Sequence, residues 1–260
     1  MQIIKAIIIG IIQGLTEFIP VSSSGHLILA DKFLDLKSAG LAFDLALHLG
    51  TLIALLLIFG KDYLGLLSDV IKRNKNSRLA WYLLIATVPA VIAGVMLEHK
   101  VETSFRSTNL VAWDLIIVAF LMLVAERLSK PRTNLENINA KQSIGIGFAQ
   151  VFALFPGVSR SGSTMIAGLM GGLDRLSAIR FSFLLSGPVI AGAVLQVFLQ
   201  DSSLSQIKGH IDIFLAGGLA ALISGYLAIK FLLNYLAKHP INIFAYYRIV
   251  VGLVILLARL

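Results

Sequence analysis

Two short stretches carry residue types that could do chemistry, PGVSRSGST at 156–164 and QGLTEFIPVSSSGH at 13–26. In the first, Gly157 and Gly162 permit close backbone approach and the run Ser161-Gly162-Ser163-Thr164 is expected to open a helix. Free N–H groups and a positive dipole end would then point at one spot. That is an anion site, and Arg160 adds a planar fork suited to phosphate, with Ser159, Ser161 and Thr164 beside it. In the second stretch Gln13 and Glu17 are four apart, hence on one helix face, and Ser22, Ser23, Ser24 and His26 follow a turn. A carboxylate, a row of hydroxyls and a histidine opposite an anion cradle supply what phosphoryl chemistry needs. These are a metal or proton handler, a nucleophile and an acid for the leaving group. A plainer alternative is an ion pair between Glu17 and Arg160 that locks two helices; both roles can hold together. Asp44 and His48, also four apart, suit either a structural pair or a supporting or metal-binding role.

The elements that must position these residues are membrane elements. Of 260 residues, 57% are hydrophobic and 14% charged, with a mean hydropathy of +0.88. Such a chain satisfies its backbone in lipid only as helices or a closed barrel, and the apolar runs lack the alternation of strands. Crossings are expected at 41–59, 79–97, 110–125, 181–199, 213–229 and 243–258. The stretches 3–19 and 143–173 are each interrupted by Pro, Gly and Ser, and an arginine at membrane depth in the second marks function. The N-terminal run is expected to be retained, since no small-x-small cleavage site follows it. The chain has no cysteine, which excludes disulfides and thiolate chemistry. The net charge of +8 reports membrane orientation rather than nucleic acid, because Lys and Arg concentrate in loops. Residues 60–78 carry five and 126–142 four, against two at 98–109 and one at 200–212. The heavy loops are expected to be cytoplasmic.

The two polar stretches are copies. At an offset of 137, Ile7 to Gly25 aligns without gaps onto Ile144 to Gly162, and nine of the nineteen pairs are identical, too many for apolar composition alone. With the charge assignment, 41–59 and its partner 181–199 run in opposite directions, so the halves, about 1–130 and 141–260, are expected to be inverted repeats of a single membrane domain spanning 1–260. The stretch between 126–142 and 173–180 must enter and leave by the same face. The expected fold is therefore all-α, with about six transmembrane helices and two re-entrant helical hairpins whose tips meet near the midplane.

QGLTEFIPVSSSGH at 13–26, FDLALHLGTLIA at 43–54, PGVSRSGST at 156–164 and FAYYRI at 244–249 closely resemble the undecaprenyl-pyrophosphate phosphatases of the bacitracin-resistance type, over essentially the whole chain and in the family's order. The resemblance implies a hydrolase of the bacterial cytoplasmic membrane that removes the terminal phosphate of a long-chain polyprenyl diphosphate. This regenerates the monophosphate carrier for cell-wall glycan export. It implies a divalent cation (Mg²⁺ or Ca²⁺), a site opening to the external side, and it is compatible with a homodimer. The family's E/Q-x-x-x-E pattern falls on Gln13 and Glu17, leaving one acid where many members have two. Carried over, Glu17 is the key acid and a candidate metal ligand, Ser23 the candidate nucleophile, and His26 the acid/base or alternative nucleophile. Arg160 with Gln13, Ser22, Ser159, Ser161, Gly162 and Thr164 would hold the phosphates, and Asp44 and His48 would support them. Arg248 would either pack against Asp114 or touch substrate.

Two rival functions share parts of this pattern. A transporter or flippase of an anionic polyprenyl phosphate lipid would also use inverted repeats and broken helices. Membrane acid phosphatases with a Lys-x6-Arg-Pro motif share the look of SSSGH, but no Arg-Pro dipeptide occurs in this chain.

Overall fold

A computed structural model describes residues 2–34, 40–74, 77–199 and 210–259. Most of the expected external loop at 200–212, and 35–39 of the first hairpin, lie outside the described residues. The described chain is built from helices and 3₁₀ turns, with one isolated β-bridge between Thr133 and Leu173. The helices are α1 (Gln2–Phe18), α2 (Ser23–Leu34), α3 (Gly40–Ile71), α4 (Ser77–Ser104), α5 (Thr108–Leu128), α6 (Ala140–Val151), α7 (Arg160–Met170), α8 (Arg175–Phe198), α9 (Ile211–Leu236) and α10 (Asn242–Ala258). Helices α3, α4, α5, α8 and α9 are long and apolar enough to cross a bilayer, so this is a multi-pass membrane protein. The sixth expected crossing is α10, an apolar helix of 17 residues.

The interrupted stretches form two helical hairpins, α1–α2 and α6–α7, each with both outer ends together. In the first, Lys5 Nζ donates to the Leu34 carbonyl at 2.5 Å. In the second, 137 residues on, Gln142 Nε2 donates to the Gly171 carbonyl at 2.9 Å. The first leg of each hairpin packs on a long helix through glycines. Gly10 meets the Gly217 backbone and Ala220, and Gly14 meets Ala221, Ser224 and Gly225, so α1 and α9 run parallel at close approach. In the other half Gly147 lies against the backbone of Ala86 on α4. Hydrophobicity does not drive helices together in lipid, and small residues that let backbones touch take its place.

Helices α5 and α10 are antiparallel. Glu126 Oε2 accepts from the Ile241 amide at 3.3 Å, Arg248 reaches the Leu115 carbonyl at 3.1 Å, and Gly252 abuts Ala112. At one end of the molecule the basic loops gather through Arg175–Glu126 and the Arg180–Asp62 pair at 2.9 Å. Inside α8, Pro188 cannot donate to the Leu184 carbonyl; the Tyr63 hydroxyl of α3 donates there instead, at 3.0 Å. The largest buried cluster lies behind the tips, where Phe18 meets the ring of Phe183 edge-on at 5.8 Å.

Candidate active site

The hairpin tips share one unusual backbone. Ser22 has φ 78° and Ser159 φ 77°, a left-handed conformation that costs a non-glycine residue energy and collects at functional sites. Each serine recovers part of that cost as the cap of the following helix. Ser22 Oγ accepts from the Gly25 amide at 3.3 Å, and Ser159 Oγ from the Gly162 amide at 3.2 Å. The second serines pair in the same way, Ser22 with Ser24 at 3.3 Å and Ser159 with Ser161 at 3.2 Å. Two helix starts, at Ser23 and Arg160, are thereby presented in the same local geometry.

They converge on Glu17. This buried carboxylate accepts from Ser23 Oγ at 2.8 Å and Gln13 Nε2 at 3.1 Å through Oε2, and pairs with Arg160 at 3.0 Å through Oε1. Glu17 thus contacts both Arg160 of the second hairpin and Ser23 of its own. Arg160 also donates to Ser186, whose hydroxyl is tied to the Ser182 carbonyl at 2.7 Å. Gln13 turns its amide nitrogen to the carboxylate, as the charge requires. Its Oε1 is left buried with no partner, a hard oxygen donor beside the only acid of the cluster. Among the described residues no three His, Asp or Glu side chains cluster as a ready metal cage.

The remaining expected residues divide. Ser161 donates to the Ile19 carbonyl of the opposite tip at 3.3 Å, joining the two hairpins. Thr164 bonds Ser182 at 2.6 Å on α8. With Ser22 and Ser159 serving as caps, these hydroxyls also hold the two tips together. His26 is held at both nitrogens: Nδ1 faces the Ser22 carbonyl at 2.7 Å and Nε2 the Tyr247 hydroxyl at 2.7 Å. A carbonyl only accepts, so Nδ1 carries the proton and the phenol donates to Nε2. His48 Nδ1 bonds the Asp44 carbonyl at 2.8 Å, so the contact within that pair runs through the backbone.

Two contributors escaped the sequence reading, Ser186 and Tyr247. Ser186 could have been suspected from its i, i+4 spacing to Ser182 in an apolar helix. Tyr247 and Arg248 both sit in the FAYYRI stretch. The Arg248 guanidinium lies against five backbone carbonyls, those of Pro20, Leu115, Asp114, Gly157 and Val158, at 2.8–3.2 Å. It meets Asp114 through the carbonyl.

The profile of the family described as Bacitracin resistance protein BacA matches residues 6–254. An undecaprenyl-diphosphatase from Moorella thermoacetica is 43% identical, over 98% of this chain and 97% of its own length. One from Methanobrevibacter smithii is 42% identical, over 100% of this chain and 99% of its own. Another, from Thermodesulfovibrio yellowstonii, is 42% identical over 98% and 97%.

Proposed function

The chain belongs to the Bacitracin resistance protein BacA family, and from that membership we infer that it is an undecaprenyl-diphosphatase, a membrane hydrolase that cleaves the phosphoanhydride of a polyprenyl diphosphate. The observation that carries the reading onto these residues is the three-way contact at Glu17. A hydroxyl nucleophile, its base and a phosphate-binding guanidinium meet on one buried carboxylate.

Ser23 Oγ is the attacking atom. Its proton passes to Glu17 Oε2 as oxygen bonds to the terminal phosphorus, and the bond from that phosphorus to the bridging oxygen breaks. The prenyl monophosphate leaves with the bridging oxygen. Water then attacks the phosphoserine, Glu17 returns its proton to Ser23 Oγ as the bond from Ser23 to phosphorus breaks, and inorganic phosphate departs with the water's oxygen and protons, leaving Glu17 ionised. Arg160 releases part of its hold on Glu17 to bind the equatorial oxygens, where charge builds in the transition state. The convergent starts of α2 and α7 add positive dipole ends to the same place. His26, already bonded at both nitrogens, supports the tip and is not the nucleophile.

A divalent cation, Mg²⁺ or Ca²⁺, would be held by the orphaned Oε1 of Gln13 together with Glu17, hard oxygen donors of the kind such ions take. When bound, it supplies charge neutralisation on the diphosphate.

The halves, about 1–130 and 141–260, are inverted repeats in this reading. Support comes from the matching Ser22 and Ser159 backbones, the matching Lys5 and Gln142 clamps, and the antiparallel packing of α5 on α10. The basic end faces the cytoplasm, and the site opens to the external side of the bacterial cytoplasmic membrane. The direct test is phosphate release from a long-chain prenyl diphosphate by purified, detergent-solubilised protein, with and without chelator. Release that the chelator suppresses is expected. A transporter would release none.

A further inference from the structure

Arg248 is fully buried in the apolar helix α10. A charge at that depth is costly unless its donors are satisfied, and among the described residues no carboxylate lies within salt-bridge distance of it, although the Asp114 charge is near enough to favour it. Its compensation is a set of carbonyls from three places. Nη1 donates to Pro20 of the first tip at 3.2 Å. Nη2 donates to Gly157 at 2.8 Å and Val158 at 3.2 Å, both in the second tip. Nε donates to Leu115 of α5 at 3.1 Å, and Nη2 also reaches the Asp114 carbonyl at 3.2 Å. Pro20, Gly157 and Val158 lie in the turns between helices, where carbonyls have no place in a helical ladder. One guanidinium thus satisfies loose acceptors of both tips at once and ties them to a fixed crossing helix.

We propose that Arg248 is a positioning residue for phosphoryl transfer. By holding the Pro20 and Gly157–Val158 carbonyls on one guanidinium, it sets the spacing at which Ser23 of one hairpin and Arg160 of the other meet the same Glu17. It touches neither carboxylate nor nucleophile and acts through the backbone. Arginine is required because its flat fork reaches acceptors on several sides, whereas a lysine ammonium serves one compact point. The proposal rests on the phosphatase reading for its kinetic arm alone.

The test uses the full chain and Arg248→Lys. In the kinetic arm, kcat for a long-chain prenyl diphosphate falls about a hundredfold while KM moves little, the expected result of misplacing reacting groups by an ångström. The second arm needs no turnover. The chain has no cysteine, and a Cβ at Gly162 would lie 3.7 Å from that of Pro20, within the span of a disulfide. A Pro20→Cys/Gly162→Cys pair therefore cross-links the tips on oxidation, read by mass in native membranes, where a variant too unstable to purify is still scored. Slower cross-linking with Arg248→Lys than with Arg248 present is expected. Unchanged kcat in folded Arg248→Lys overturns the proposal, since a clamp that only stabilises the fold would lower yield and leave turnover intact. A fall in kcat with unslowed cross-linking also overturns it, because the loss would then not come from the spacing of the tips. Wild-type protein that releases no phosphate would sink the phosphatase reading and leave the cross-linking result to decide the clamp.

Discussion

Ser23 and Arg160 occupy the same position in their respective hairpins, each one residue past a left-handed serine, and they hold opposite oxygens of one carboxylate, Glu17. Between the matching stretches Val21–Gly25 and Val158–Gly162 the one difference is Ser23 against Arg160, and the facing tips put that hydroxyl and that cation on one carboxylate. The predictions below follow from this pairing and from the packing that brings the tips together.

Arg160→Lys loses turnover by on the order of a hundredfold while folding normally, because a lysine keeps the charge but not the fork that spans Glu17, Ser186 and phosphate. Phosphate release and thermal unfolding, measured on the same preparation, check this. Turnover near wild type would make Arg160 a helix lock.

Glu17→Gln abolishes turnover, since an amide takes no proton from Ser23. The stability cost stays below the roughly 3–5 kcal/mol of breaking a fully buried pair, because Arg160 keeps Ser186 and the amide oxygen still accepts. Denaturant unfolding in detergent alongside the activity assay separates the roles. An unstable yet active protein would leave Glu17 a purely structural partner.

Much of this site was legible because it is written twice. The 137-residue offset placed Ser22 opposite Ser159 and Gln13 opposite Gln150, and the structure gives the two serines the same backbone. Glu17 and Arg160 stood out as charges in apolar surroundings. What the sequence did not reveal is where neutral groups spend their hydrogen bonds. Nothing in the Gly/Ser-rich loop announces that the Thr164 hydroxyl bonds Ser182 and that of Ser161 the Ile19 carbonyl. The role of Arg248 was hidden for the same reason, since its acceptors are carbonyls, which every residue has. The length of α3 was also understated. Apolarity ends near Gly60, but the helix continues to Ile71, where Asp62 is held by Arg180.

Gly14→Val disrupts the seat of α1 on α9, because a Cβ there would lie 2.5 Å from the Ala221 carbonyl and 2.6 Å from the Gly225 amide, and backbone does not yield as a side chain does. Gly145→Ala has open space and is neutral, or stabilising by up to about 1 kcal/mol. Folded yield and melting temperature in detergent distinguish them; equal behaviour would show that the α1–α9 contact is not limiting.

His26→Ala retains partial activity, and Tyr247→Phe, which keeps the stacked ring but removes the hydroxyl from Nε2, lowers turnover less than Ser23→Ala does. Steady-state phosphate release by the three variants checks the order. A dead His26→Ala beside an active Ser23→Ala would reverse the assignment.

The most direct measurement follows the transferred group itself. Wild-type protein is mixed with a prenyl diphosphate radiolabelled in its terminal phosphate, quenched within a single turnover and digested. Attack by Ser23 requires acid-stable label on the peptide containing Ser23, absent from Ser23→Ala. Acid-labile label on His26, or no label on either residue while both variants remain slowed, would contradict it, the second result making water the attacking group.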